Sequence, residues 1–192
     1  MTTNPSPQDP RARGPGRLLS LLGNAHAERL LRPARGAFIW TTLIVVWLAS
    51  MLPWRLWSAA PDMMALVLAY WSAHESRRVG LVTAFVFGIL LDVHDTALLG
   101  GHALTYVLAV YGAQFLQRRL QRFDLLGQAV HMLPVFLVAP LCTHLVIAWL
   151  GGYWPGWTWM LGALITAALW PVAGWVLQLP QRRLDDAESS AS

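Results

Sequence analysis

Six apolar runs, nearly free of charge, occupy residues 37–54, 63–73, 79–91, 98–116, 125–150 and 157–179, and any fold of this chain must keep them out of water. At 1.5 Å per helical residue, the first, fourth, fifth and sixth are long enough to cross roughly 30 Å of hydrocarbon. The second and third are short, and predict a tilted or incomplete hairpin whose charged connection, His74-Glu75-Ser76-Arg77-Arg78, reaches an interface. With 56% of residues hydrophobic and only 12% charged, the solvent of this chain is lipid. The expected fold is therefore an all-α integral membrane protein, a six-helix transmembrane bundle over residues 37–179, with no soluble domain attached.

The flanks read differently. Residues 1–36 hold five prolines and six arginines with little periodicity, which predicts a basic, disordered cytoplasmic tail, and residues 180–192 predict a second, short one. No cleaved signal peptide is expected, because the first apolar run begins late and has no small-residue cleavage site behind it. Every Lys or Arg is an arginine, and assigning the segments alternately to two sides puts 13 of the 14 on one side, leaving Arg55 alone on the other. That asymmetry predicts cytoplasmic termini. The opposite side then carries Asp62, Asp92, Asp95 and an aromatic loop from Tyr153 to Trp159, read as an interfacial belt.

Small residues at four-residue spacing mark helix contacts. Gly80, Ala84 and Gly88 form one ridge, and Gly101, Thr105, Ala109 and Ala113 another; both suit close backbone approach, either within the chain or to a partner helix. Asp92 continues the first ridge. It reads equally as an interfacial cap and as a functional acid, with His102 its nearest candidate partner and Tyr106 one turn further on. Asp95 is expected to N-cap the fourth helix. Together Gly80, Ala84, Gly88, Asp92, Asp95, Gly101, His102 and Tyr106 form a candidate partner-binding region, with Arg118, Arg119 and Arg122 a cytoplasmic basic cluster suited to anionic lipid or a cytoplasmic partner.

Other chemistry is sparse. Pro134 and Pro140 interrupt the fifth run, where a kink is expected, and His131 and His144 are too far apart to hold one metal from adjacent turns, so no metal site is expected. The lone Cys142 leaves no internal disulfide. Nothing resembles a hydrolase, metalloprotease or phosphate-loop motif, so no cofactor, nucleic acid or catalytic activity is expected; Asp92 and His102 as an acid–base pair lack a nucleophile.

The residues Pro61-Asp62-Met63, Tyr70-Trp71, Arg78-Val79-Gly80, Phe85 through Asp92, Leu98-Leu99-Gly100, His102-Ala103-Leu104 and Tyr106 resemble, in order and spacing, the rod shape-determining protein MreD family. Gln117-Arg118-Arg119, Phe123, Gln128 and Ala168-Leu169-Trp170-Pro171 extend the resemblance to residues 37–183. The resemblance implies a multi-pass protein of the bacterial inner membrane, a scaffold that binds MreC and helps couple MreB filaments to peptidoglycan synthesis by RodA and a class B penicillin-binding protein. The family is also similar in layout to the substrate-binding subunits of energy-coupling factor transporters. The alternative reading is accordingly a vitamin-type small-molecule binder, with Asp92, His102 and Tyr106 lining an outward cavity.

Overall fold

The computed structural model describes residues 36–52, 59–95, 99–152 and 154–178. The expectations for the tails at 1–35 and 180–192, and for Arg55, Thr96 and Tyr153, lie outside the described residues. Among the described residues seven helices follow one another: α1 (Gly36–Ser50), α2 (Met63–His74), α3 (Leu81–His94), α4 (Gly101–Leu120), α5 (Leu125–Gly151), α6 (Trp159–Ala168) and α7 (Trp170–Gln178). Among the described residues there is no strand.

The sixth apolar run is therefore two helices, α6 and α7, meeting at 41°. Pro171 explains the second start, because proline lacks an N–H to donate yet fits the first turn of a helix, where none is needed. In contrast, Pro134 and Pro140 lie within α5, which runs unbroken for 27 residues. Among the described residues, by length and apolarity, only α5 passes as a membrane span by itself, and α6 with α7 passes as a bent unit. Helices α1, α2 and α3 have 15, 12 and 14 residues, too short to cross about 30 Å of hydrocarbon upright. The first run is thus shorter as a helix than its sequence suggests.

Helix α2 is the axis of the bundle. Its sequence is apolar all round, and every residue from Met64 to Ala73 is buried. It packs on α1, α4 and α6, while α4 also packs on α3 and α5, and α5 on α6. Trp71 donates from Nε1 to Thr42 Oγ1 at 3.0 Å, which ties α1 to α2. Tyr70 stacks on His74 and packs against Trp170, tying α2 to α7. The outward faces of α3 and α5 remain apolar and exposed, Val82 at 77% and Trp149 at 85%, a surface suited to lipid or to another apolar helix.

One buried amide holds the turn between α4 and α5. Asp124 caps α5 by accepting from the Gly127 N–H, and Gln128, one turn in, donates from Nε2 to the carbonyls of Leu120 at 3.0 Å and Phe123 at 3.1 Å. Its Oε1 accepts from Trp170 Nε1 at 3.1 Å, so α7 is latched to that turn. Replacing Gln128 with Leu strands an indole N–H in the interior, at a cost of about 1–3 kcal/mol. We expect a lower melting temperature for Gln128→Leu in detergent; an unchanged one counts against the latch.

Candidate functional site

The site is built where α3 ends and α4 begins. Asp92 is 0% exposed, in the last turn of α3, and its carboxylate gathers four hydrogen bonds. Oδ2 accepts from the N–H groups of Gly100 at 2.9 Å and Ala103 at 3.2 Å. Oδ1 accepts from the His102 N–H and from His102 Nδ1, both at 2.8 Å. Gly100, His102 and Ala103 are the cap, second and third residues of α4, so one carboxylate from the preceding helix satisfies donors that a helix start leaves open. Gly100 makes this possible with φ of 104°, a backbone that other residues rarely adopt.

This corrects the expected place of Asp95, which C-caps α3 and leaves the capping of α4 to Asp92. The physical reason is the late start of α4 at Gly101, which puts Asp95 beyond the reach of a local cap. Asp95 instead lies exposed, with Oδ2 3.8 Å from His102 Nε2. Because Nδ1 must donate to a carboxylate, the outer nitrogen of His102 is turned toward that second acid. The two readings of Asp92 thus meet in one arrangement: it caps, and its partner is His102.

The small ridges bring α3 against α4. Ala84 and Gly88 are buried, and a Cβ on Gly88 would overlap the Ala103 Cα and lie 2.6 Å from its nitrogen. Gly80 stands apart, as the N-cap of α3, where a Cβ would make no contact closer than 4.0 Å, to the Ser76 carbonyl oxygen. On α4 the ridge divides. Ala109 and Ala113 are buried, whereas Thr105 turns to α5, its hydroxyl 2.8 Å from that of Thr143. Tyr106 is fully buried and donates to Asp62 Oδ1 at 3.1 Å. Asp62 also caps α2 through the Ala65 N–H at 3.0 Å, and its own N–H donates to Thr166 Oγ1 at 2.9 Å. Asp62, read from the sequence only as one of the acids on the outer side, and Thr166, which the residue pattern did not single out, therefore belong to the site; Asp62 directly before an apolar run was the available signal for its cap.

Between α2, α4, α5 and α6 lies a cavity of about 180 Å³. Its polar lining comes from Asp62, His102, Thr105, His144, Trp159 and Thr166. Asp92 and Tyr106, expected to line such a cavity, do not; Asp92 is sealed behind His102, and the Tyr106 hydroxyl is turned to Asp62. Among the described residues no cluster suits a metal ion. Far from the cavity, Arg118 and Arg119 lie exposed in the last turn of α4 and Arg122 just beyond, where cations complement the helix dipole. His131 is engaged locally, with Nδ1 2.8 Å from the Gly127 carbonyl.

Comparison with known proteins adds one finding. A family model described as rod shape-determining protein MreD matches residues 35–181. No solved structure matches the chain.

Proposed function

Since the chain belongs to the rod shape-determining protein MreD family, we propose that its part in determining rod shape is that of a non-enzymatic scaffold, a multi-pass protein of the bacterial inner membrane that binds MreC. Through MreC it helps couple MreB filaments to peptidoglycan synthesis by RodA and a class B penicillin-binding protein. The observation that carries this reading is the match across residues 35–181, which takes in every described residue.

The arrangement of the residues supports it. Arginine asymmetry supports cytoplasmic termini, and on that orientation the Asp92–His102 centre and the cavity belong to the outer end of the bundle and Arg118, Arg119 and Arg122 to the inner end. Gly80, Ala84, Gly88, Asp92, Asp95, Gly101, His102 and Tyr106 form the partner-organising region. Most of it acts from inside, by fixing α3 against α4, rather than by touching the partner. The basic cluster meets anionic lipid headgroups, each arginine contributing on the order of 1 kcal/mol near the surface.

The test is co-purification in detergent with the MreC-like protein of the same host, together with cell shape on depletion. A stable complex, and rounding of depleted cells that the wild-type gene reverses, are expected. Failure to capture MreC under conditions where both proteins remain folded would remove the scaffold reading.

A further inference from the structure

We propose that His102 and Asp95 form a proton-operated clamp on the joint between α3 and α4, open when the imidazole is neutral and closed when it is a cation. The inference goes beyond the scaffold reading and shares with it only the orientation, which puts the joint at the outer end of the bundle, under the pH of the compartment outside.

The clamp follows from how the two ring nitrogens are placed. Nδ1 lies 2.8 Å from Asp92 Oδ1, and the other contacts of that carboxylate are backbone N–H groups, so Nδ1 carries a hydrogen in either charge state. The charge of the ring is then decided at Nε2, which lies 3.8 Å from Asp95 Oδ2. A neutral ring offers Asp95 only a lone pair there, and two acceptors do not bond. A protonated ring offers an N–H, to a carboxylate about 1 Å beyond the usual hydrogen-bond length.

Both side chains are free to respond. That of His102 is 25% exposed and that of Asp95 34%, so water can bring a proton to the ring and the carboxylate can turn toward it. Asp95 is the C-cap of α3 and His102 the second residue of α4, so the closed contact spans the joint. Asp92 holds the same two ends in both states, because its three backbone bonds do not involve the imidazole. Histidine is the side chain that ordinarily changes charge between about pH 5 and 8, a range in which exposed carboxylates stay ionised.

Among the described residues no other titratable group near the ring can take the place of Asp95. From α3, Asp92 is already bonded to Nδ1. From α2, the capping Asp62 lines the same cavity, but its Oδ1 is engaged by the Ala65 N–H and the Tyr106 hydroxyl. From α5, His144 lines it too, and an imidazole has no negative charge to draw the cation. Helix α6 brings no titratable residue to that wall. On α4 itself the Tyr106 ring lies 5.9 Å from the imidazole, with its hydroxyl turned to Asp62. His94, exposed at the end of α3, is the neighbouring histidine and so the control.

The experiment follows thermal unfolding of the full chain in detergent by circular dichroism from about pH 5 to about pH 8. Asp95 caps α3 through its backbone N–H, so Asp95→Asn keeps the cap and removes only the charge. A bond made by the cation alone adds stability on the acid side, and that stability fades as pH rises through the imidazole range. The melting temperature of wild type over that of Asp95→Asn is therefore expected to be larger at the acid end by about 2 °C, the scale of one partly exposed ion pair in a chain of this size. His94→Gln should keep that difference. In a His102→Gln background, replacing Asp95 should make no pH-dependent difference; the first comparison stands even where that background does not fold.

The proposal is overturned if the margin of wild type over Asp95→Asn is the same at both ends of the range, or if His94→Gln abolishes its pH dependence. The chain is measured without a partner. Loss of the clamp therefore leaves the scaffold reading untouched, and failure to capture an MreC-like protein leaves the clamp untouched.

Discussion

Asp92→Ala will lower the stability of the detergent-solubilised protein on the order of 3 kcal/mol, well beyond an ordinary cap deletion of about 1 kcal/mol. The excess comes from burial. The carboxylate is 0% exposed and satisfies three backbone N–H groups and the His102 ring, so its removal leaves several donors facing a space where water is scarce. Asp92→Asn keeps the shape but presents an amide NH2 to some of the same donors, and should fall between alanine and wild type. Thermal unfolding followed by circular dichroism measures both. A fall for Asp92→Ala no larger than that for Asp124→Ala, an exposed local cap on α5, would mean that the Asp92 network contributes little beyond capping. On the proposed scaffold reading, weaker capture of an MreC-like protein should accompany the loss of stability, because the same bonds fix the start of α4 against the end of α3.

Gly88→Leu should be more severe still. A single Cβ at position 88 already meets the backbone of Ala103, which has no flexible end to move aside, so α3 and α4 must separate to admit any side chain. Overpacking of a core costs about 1–3 kcal/mol, and a clash with backbone belongs at or beyond the top of that range. Gly88→Ala is the sharper test, since it adds only the clashing atom. Size-exclusion chromatography and folded yield should show loss for Gly88→Ala, whereas Gly80→Ala, whose Cβ meets nothing closer than the Ser76 carbonyl oxygen at 4.0 Å, should leave both unchanged. Equal yields for the two variants would show that the α3–α4 crossing is looser than its geometry implies.

Why some of this is legible in the residues and some is not follows from distance along the chain. The apolar runs and the small ridge ending in Gly88 are local patterns, and they mark α2 to α5 and the close crossing of α3 with α4. The Asp92–His102 pair is legible too, since only ten positions and one loop separate them. Capping is where local reasoning fails. Asp95 has the better sequence position for a cap, but Gly100 turns the chain so that α4 starts later and aims its N–H groups back at Asp92. Nor does composition reveal the break between α6 and α7, although Pro171 carries the signal. The contacts of Gln128 with Trp170 and of Thr105 with Thr143 join residues 42 and 38 positions apart, and no periodicity links them. The cavity is hidden for a related reason: the alanines around it look like packing positions until their helices are placed.

The long-range bonds of α2 bear on how the protein is made. The Asp62 N–H finds its acceptor in Thr166, 104 positions later, and the Tyr70 hydroxyl finds its donor in Gln178, 108 positions later. A chain emerging from the ribosome thus delivers α2 well before these two partners. The bonds from α2 to Thr166 and Gln178 therefore form only once α6 and α7 have been made. A chain stopped before Trp170 would hold the earlier helices without the indole that latches α7 to the turn between α4 and α5.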